Sequence, residues 1–188
     1  MQLKSAIEKR KSVERYSHKT PNWRKIIRAI EAARHAPSAG NQFAMKFILI
    51  SNEEKIKQLA TAAQQRFIET AKYVVVAVSD DSKLIRSYGD RGIRYSTQQG
   101  GAAIENFLLA LTELKLSTKW VMHFYEDQVK RILEIPDSLN VEGIFPIGKE
   151  TSIKTPEEKK IDLENIIYFD KWNNKKMEPQ KRVSVDSV

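Results

Sequence analysis

Within one short stretch near the amino end, Arg10, Lys11, Ser12 and Arg15 supply the groups that a phosphate monoester needs. Such an anion carries close to two negative charges, and it is held by a fork of Arg or Lys donors beside a hydroxyl or backbone N–H. Cations at this place also suit the C-terminus of the helix that ends there, so spacing alone leaves a binding and a surface reading open. A second stretch, Ala36-Pro37-Ser38-Ala39-Gly40-Asn41, interrupts a helical pattern and leads into the apolar run Phe47-Ile48-Leu49-Ile50. Pro37 offers no N–H and disfavours helical geometry at Ala36, while Gly40 admits backbone angles that other residues avoid. A small-residue loop anchored to a strand lets backbone N–H groups approach a flat ligand closely.

The remaining chemistry-bearing residues exclude several classes. The chain has no cysteine, which removes disulfides, thiolate catalysis and Cys-based metal sites, so any redox chemistry must come from a bound cofactor. His18, His35 and His123 share no metal-ligand spacing, and no Ser/His arrangement suggests a hydrolase triad. The formal charge of +8 favours anionic ligands. The Lys and Arg residues are spread along the chain rather than gathered on one motif with interleaved aromatics, which argues against a nucleic-acid reader.

The elements that must position these residues follow from periodicity. The chain of 188 residues, 41% hydrophobic and 30% charged, has the length and composition of one globular domain. No run of about 18 apolar residues spans a membrane, and the amino end lacks a secretory pattern, so a cytoplasmic protein is expected. Residues 2–11 read as a helix. Thr20-Pro21 reads as an N-cap and first turn of a second helix, with Trp23, Ile26, Ile27, Ile30 and Ala33 as its buried stripe. A strand at 46–51 precedes a helix opened by the capping pattern Ser51-Asn52-Glu53-Glu54. The unbroken run Tyr73-Val74-Val75-Val76-Ala77-Val78 predicts a strand covered on both faces. Residues 80–95 are polar and turn-prone, predicting a loop or short helix at the rim of a site. Residues 96–115 are apolar nearly all round and predict a buried central helix. A strand at 118–122, a helix at 126–133 and a strand at 144–148 complete an α+β sandwich whose mixed sheet is packed by helices. The expected domain runs over 1–172, and 173–188 is a polar tail.

Taken in this order, the two chemical stretches resemble the nitroreductase family of FMN-dependent oxidoreductases. The family opens with a helix ending in Arg-x-Ser-x-Arg or Arg-x-Ser-x-Lys and continues with a helix running into Ala-Pro-Ser-x-x-Asn. Glu14 stands at the usual second basic position, with Arg15 one step later, and Asn41-Gln42-Phe43-Ala44-Met45-Lys46-Phe47 keeps the Asn and last Phe of Asn-x-Gln-Pro-Trp-x-Phe but not the middle. The stretches 101–110, Leu116-Ser117-Thr118-Lys119-Trp120-Val121, Ile132-Leu133-Glu134-Ile135-Pro136 and Phe145-Pro146-Ile147-Gly148 are similar to the family's central helix, following strand, Leu-x-Ile-Pro turn and last strand.

The resemblance implies a nitroreductase-like homodimer holding FMN at the subunit interface. NADH or NADPH would reduce it, and an electron-poor small molecule such as a nitroaromatic or quinone would reoxidise it. It assigns Arg10, Lys11, Ser12 and Arg15 to the phosphate, joined by Lys160 with Lys159 as the fallback. Pro37, Ser38, Ala39 and Asn41 would reach the flavin from the neighbouring subunit, and Asn41 and Gln42 would position ligands beside the ring. Gln64 would meet the pyrimidine edge, while Trp120, Val121 and Met122 would face the flavin. No residue is nominated as catalytic acid or base. A reductive dehalogenase, a flavin-cleaving enzyme of the same fold and a non-catalytic nucleotide- or nucleic-acid-binding protein remain the alternatives.

Overall fold

The computed structural model describes residues 2–151 and 160–178. The chain divides into two compact units, Met1–Pro156 and Glu157–Val188. In the first, β1 (Met45–Ile50), β2 (Tyr73–Ser79), β3 (Ser117–Thr118) and β4 (Asn140–Gly148) form one sheet in the order β1-β2-β4-β3. Every pairing among these strands is antiparallel. The α+β class is thus as expected, but the sheet is mixed only in that Ser12 forms an isolated parallel bridge to Thr118. An unbroken apolar strand reports cover on both faces, and here that cover arises without parallel pairing.

Alternation along β2 shows how. Val75 and Ala77 face a cluster with α2 (Trp23–Ala33) and α5 (Arg91–Glu113), including Ile26, Ala29, Ala103, Phe107 and Leu111. Val74, Val76 and Val78 face the opposite cluster, with Ile56 and Leu59 of α3 (Glu53–Ala62) and Val129 of α6 (Glu126–Leu133). The result is three layers, with helices on both sides of the sheet.

Local signals shift some boundaries. Asn22, not Thr20, caps α2 by accepting from the Arg24 N–H at 3.0 Å. Asn52 caps α3 through the Lys55 N–H at 2.9 Å, one residue later than the Ser51 pattern suggested. The buried stripe of α2 is Ile26, Ala29 and Ala33, whereas Trp23 and Ile27 are each 44% exposed. Small Ala29 and Ala33 let α2 lie close against α5, which turns the larger pair outward. Polar residues 80–95 are mostly helical: α4 (Ser82–Tyr88) and the first turn of α5 take up most of them.

The second unit contains a short turn at Leu163–Asn165 and a pair of rings, Tyr168 and Trp172, 4.6 Å apart. Lys175 lies over Tyr168, with Nζ 4.0 Å from the ring centre.

Candidate flavin site

Helix α1 (Leu3–Lys9) ends at Arg10, whose backbone turns extended and carries the basic segment along β3 and the end of β4. Ser12 bridges to Thr118, the Val13 N–H donates to the Thr118 carbonyl at 2.9 Å, and Tyr16 bridges to Glu150. Val13 and Tyr16 are buried and act as anchors. The Tyr16 hydroxyl reaches the carbonyls of Val13, at 2.6 Å, and Pro146, at 3.0 Å, and burial pushes its acidity far down, reinforced by the nearby Glu14 charge.

The cations diverge from this anchor. Arg10 reaches toward α5, where its Nε lies 3.9 Å from Glu105. Lys11 instead pairs with Glu150 at 2.8 Å beyond β4. Glu14 pairs with Lys119, whose ammonium also lies 5.4 Å from the Phe67 ring centre. The acidic residue at the unusual position is therefore bound to the strand that follows α5. Arg15 is exposed and meets no carboxylate among the described residues. The structure brings Arg10, Ser12 and Thr118 into one neighbourhood and directs Lys11 elsewhere. Burial holds the Glu105 carboxyl above its usual range, opposed by the Arg10 charge.

The loop Pro37–Asn41 contains a short turn, Ala39–Asn41, in which Gly40 and Asn41 both adopt left-handed angles, φ 55° and 56°. That geometry suits Gly and is tolerated by Asn. Gly40 sits beneath Tyr88, whose ring packs edge-on against Tyr95 at 5.3 Å. Pro37, Ser38 and Ala39 line a cleft of about 210 Å³ with Tyr95, Gln98, Gln99 and Ala102 of α5. Gln42 leaves the loop toward α4, its Nε2 donating to Ser87 Oγ at 3.0 Å.

Both stretches thus rest on the same helix. Gln98 and Ala102 meet the loop, Glu105 meets Arg10, and the spacing i, i+4, i+7 puts all three on one face of α5. Seven residues span about 10 Å of helix.

Five buried side-chain polar atoms have no partner among the described residues, at Ser17, Gln42, Ser96, Gln99 and Thr118, and those at Gln99 and Thr118 lie near the nominated stretches. Gln99, 4% exposed, accepts from the Ala44 N–H through Oε1 but leaves Nε2 unpaired, and Thr118, 6% exposed, leaves its hydroxyl unpaired beside Ser12. Unsatisfied groups of this kind are costly unless a ligand or water completes them. A guanidinium, a serine and an orphaned hydroxyl form a donor set that fits a phosphate, and an unpaired amide donor fits the carbonyl edge of a flat heterocycle.

Other nominated residues divide. Trp120 lies partly buried on the α5 side of the sheet, its ring 5.9 Å from Phe145. Val121, by contrast, is a core residue, 1% exposed, whose N–H and carbonyl both pair with Ile144 at 3.0 Å. Met122 is 68% exposed. Gln64, with φ 53°, follows the end of α3 and donates to the Tyr125 hydroxyl at 3.4 Å, joining α3 to the start of α6. Lys160 belongs to the second unit and is exposed, and Lys159 lies outside the described residues. Glu105, Gln99, Thr118 and Tyr88 were not singled out from sequence. Thr118 and Glu105 stand inside matched segments, but their roles emerge only when the strand and helix meet the amino-terminal segment.

Comparison with known proteins places the chain in a family and matches its fold. The nitroreductase family model matches residues 7–69 and 58–149. A protein of Methanocaldococcus jannaschii named as a nitroreductase is 34% identical over 104 residues, which span 55% of this chain and about half, 52%, of that relative. A protein of Archaeoglobus fulgidus named NADH dehydrogenase/NAD(P)H nitroreductase is 27% identical over 146 residues, covering 76% of this chain and 82% of the relative. The solved structure of an FMN-dependent nitroreductase from Clostridium difficile R20291, 20% identical, shares the fold with a TM-score of 0.75 over 89% of this chain and 98% of that one. The chain belongs to the nitroreductase family of oxidoreductases.

Proposed function

We propose that the protein is a cytoplasmic FMN-dependent oxidoreductase that passes electrons from NADH or NADPH to an electron-poor acceptor such as a nitroaromatic or quinone. The observation that supports this reading is the Arg10–Ser12 segment set beside the unpaired Thr118 hydroxyl, a donor set that fits a phosphate, with the Pro37–Ala39 loop and the unpaired Gln99 amide lining a cleft on α5 that faces the flavin of a second copy in the proposed dimer. Bound FMN would supply the redox chemistry, taking a hydride from the nicotinamide and delivering electrons to the acceptor.

The chain's own contribution is to hold and orient. Arg10 and Ser12 bind the phosphate through charge-assisted and hydroxyl bonds, with the Thr118 hydroxyl completing the cradle. From the second copy of the chain, Ser38, Ala39 and Asn41 approach the ring through backbone, and Asn41 and Gln42 orient what stacks or docks beside it. Fixed donors at the ring edge stabilise charge as it grows there, and they need no reorganisation at the moment of reaction. A homodimer is part of the proposal. The apolar side chains Leu3, Ile7, Trp23 and Ile27 are 44 to 69% exposed in the single chain, which supports a second copy covering them.

Titration of the purified protein with FMN, followed by NADH or NADPH, tests this reading. The expected result is a yellow protein whose flavin absorption bleaches with reductant and returns on adding a quinone. Arg10→Ala should weaken FMN binding at least about tenfold while leaving the thermal midpoint within a few degrees. Colourless protein that takes up no FMN, or full flavin retention by the variant, would overturn it.

A further inference from the structure

Helix α4 places Lys83, Arg86 and Ser87 on one face, at i, i+3 and i+4, and these three with Gln42 line an open depression of about 440 Å³. Its two cations sit together on this face without a carboxylate partner among the described residues, unlike several lysines elsewhere in the chain. Lys11, Lys46, Lys72, Lys119 and Lys130 each pair with a carboxylate. Lys83 and Arg86 meet none among the described residues, and neither do Arg91 and Arg94 at the start of α5. The neighbouring acids are otherwise engaged or lie apart from the lining. Asp80 is held by Lys46 and Ser82, which keeps it below the usual carboxylate range, and Asp81 accepts from Asn140. Asp90, the N-cap of α5, forms no ion pair among the described residues. An uncompensated cationic face of this kind attracts an anion and concentrates it locally.

The depression adjoins the loop. Gln42 links it to Ser87, and Tyr88, the next residue of α4, closes over Gly40. An anion held by Lys83 and Arg86 is therefore tethered beside the stretch that orients ligands at the ring. The surface is open, which suits a molecule that must enter and leave at every turnover.

We propose that Lys83 and Arg86 form a phosphate subsite for the dinucleotide reductant, and that it makes the protein favour NADPH over NADH. The 2′-phosphate that distinguishes NADPH carries close to two negative charges and three acceptor oxygens, the chemistry that a guanidinium fork beside an ammonium recognises. The assignment rests on the function proposed above. An anionic acceptor would present similar charge, and the experiment separates the two sources.

The test uses FMN-loaded protein and the double variant Lys83→Ala/Arg86→Ala. Calorimetric titration with 2′,5′-ADP, which carries the distinguishing phosphate but no nicotinamide, should show binding that weakens at least about tenfold in the variant and with added salt. The ratio of kcat/KM for NADPH over NADH should exceed one in the wild type and fall about tenfold in the variant, carried by KM. Equal use of both reductants by the wild type, or no binding of 2′,5′-ADP, overturns the proposal. So does a variant in which only the KM for a carboxylated nitroaromatic rises, because the cations then serve the acceptor. Protein that binds no FMN defeats the proposed function itself, whereas FMN-loaded protein with any of these results defeats only the NADPH subsite.

Discussion

The indole Nε1–H of Trp120 donates to the carbonyl of Glu142 at 3.0 Å, and Glu142 is the one residue of β4 that faces no partner where the register with β2 shifts. Ala77 opposes Gly143 and Val78 opposes Val141, so Glu142 is bulged out. Its side chain accepts from the buried Ser79 hydroxyl at 2.5 Å, which ties the bulge to β2. Gly143 leaves room for the indole: a Cβ there would lie 2.4 Å from Trp120 Nε1. Gly143→Ala should therefore push Trp120 off its hydrogen bond. The expected cost is about 1–3 kcal/mol in urea denaturation, together with a shifted tryptophan emission. Unchanged stability and emission would show that the bulge does not position the ring.

A second prediction concerns Tyr16, whose hydroxyl serves two main-chain carbonyls while its ring covers Gly148. Tyr16→Phe keeps the ring and removes the donor, so stability should fall by about 1–2 kcal/mol with the fold retained. The pH dependence has a definite sign. Burial, and then the Glu14 charge, raise the folded phenol above its ordinary value, so the folded state keeps its proton after the unfolded chain has released it near pH 10. Protons bound then favour the folded state as pH is lowered, and the wild type loses stability as pH rises past about 10. The Phe variant should lack that loss, which denaturation at pH 8 and at pH 10.5 would reveal.

Gly40 supports a third. Its φ of 55° is costly for a side chain, and a Cβ would meet the Tyr88 hydroxyl at 2.4 Å. Gly40→Ala should destabilise the protein by about 1–2 kcal/mol and move the loop relative to α4. The check is a paired measurement of the thermal midpoint and the FMN dissociation constant. Both should worsen, and a variant with neither changed would remove the loop's strained geometry from the account of the site.

Much of this architecture was legible because burial leaves a periodic trace. The β2 run announced cover on both faces, and Ala103, Ile104, Phe107 and Leu111 announced the central helix. Periodicity is silent on strand direction, so the antiparallel pairing of β2 with both neighbours had to come from the structure. It also misplaced Trp23 and Ile27, because side-chain size suggested burial while two alanines set the approach of α2 to α5. In the site, the cations and the small-residue loop were visible as types at spacings. The carboxylates that face the cations were not. Glu105, Glu150 and Lys119 lie far along the chain from their partners, and only folding shows that Arg10 and Lys11 point to different places.

That divergence leads to a last prediction. Glu105 sits 3.9 Å from Arg10 and competes with any anion for the guanidinium, yet burial outweighs the Arg10 charge and lifts its carboxyl above the usual range. A carboxyl raised in the folded state keeps its proton longer there than in the unfolded chain, so ionising it costs stability as pH rises through the ordinary glutamate range near 4.3. The cost is then constant at neutral pH. Glu105→Gln removes it, so the variant should be slightly more stable than the wild type at pH 7, and the two should converge below about pH 4. The same change takes away the carboxylate that competes for Arg10, and FMN should bind more tightly, by about threefold or more. Thermal melts across pH and an FMN titration at pH 7 measure the two effects separately. A variant that is less stable at neutral pH would mean that attraction to Arg10 prevails over burial, and weaker FMN binding would mean that Glu105 holds Arg10 in place for the phosphate rather than competing with it.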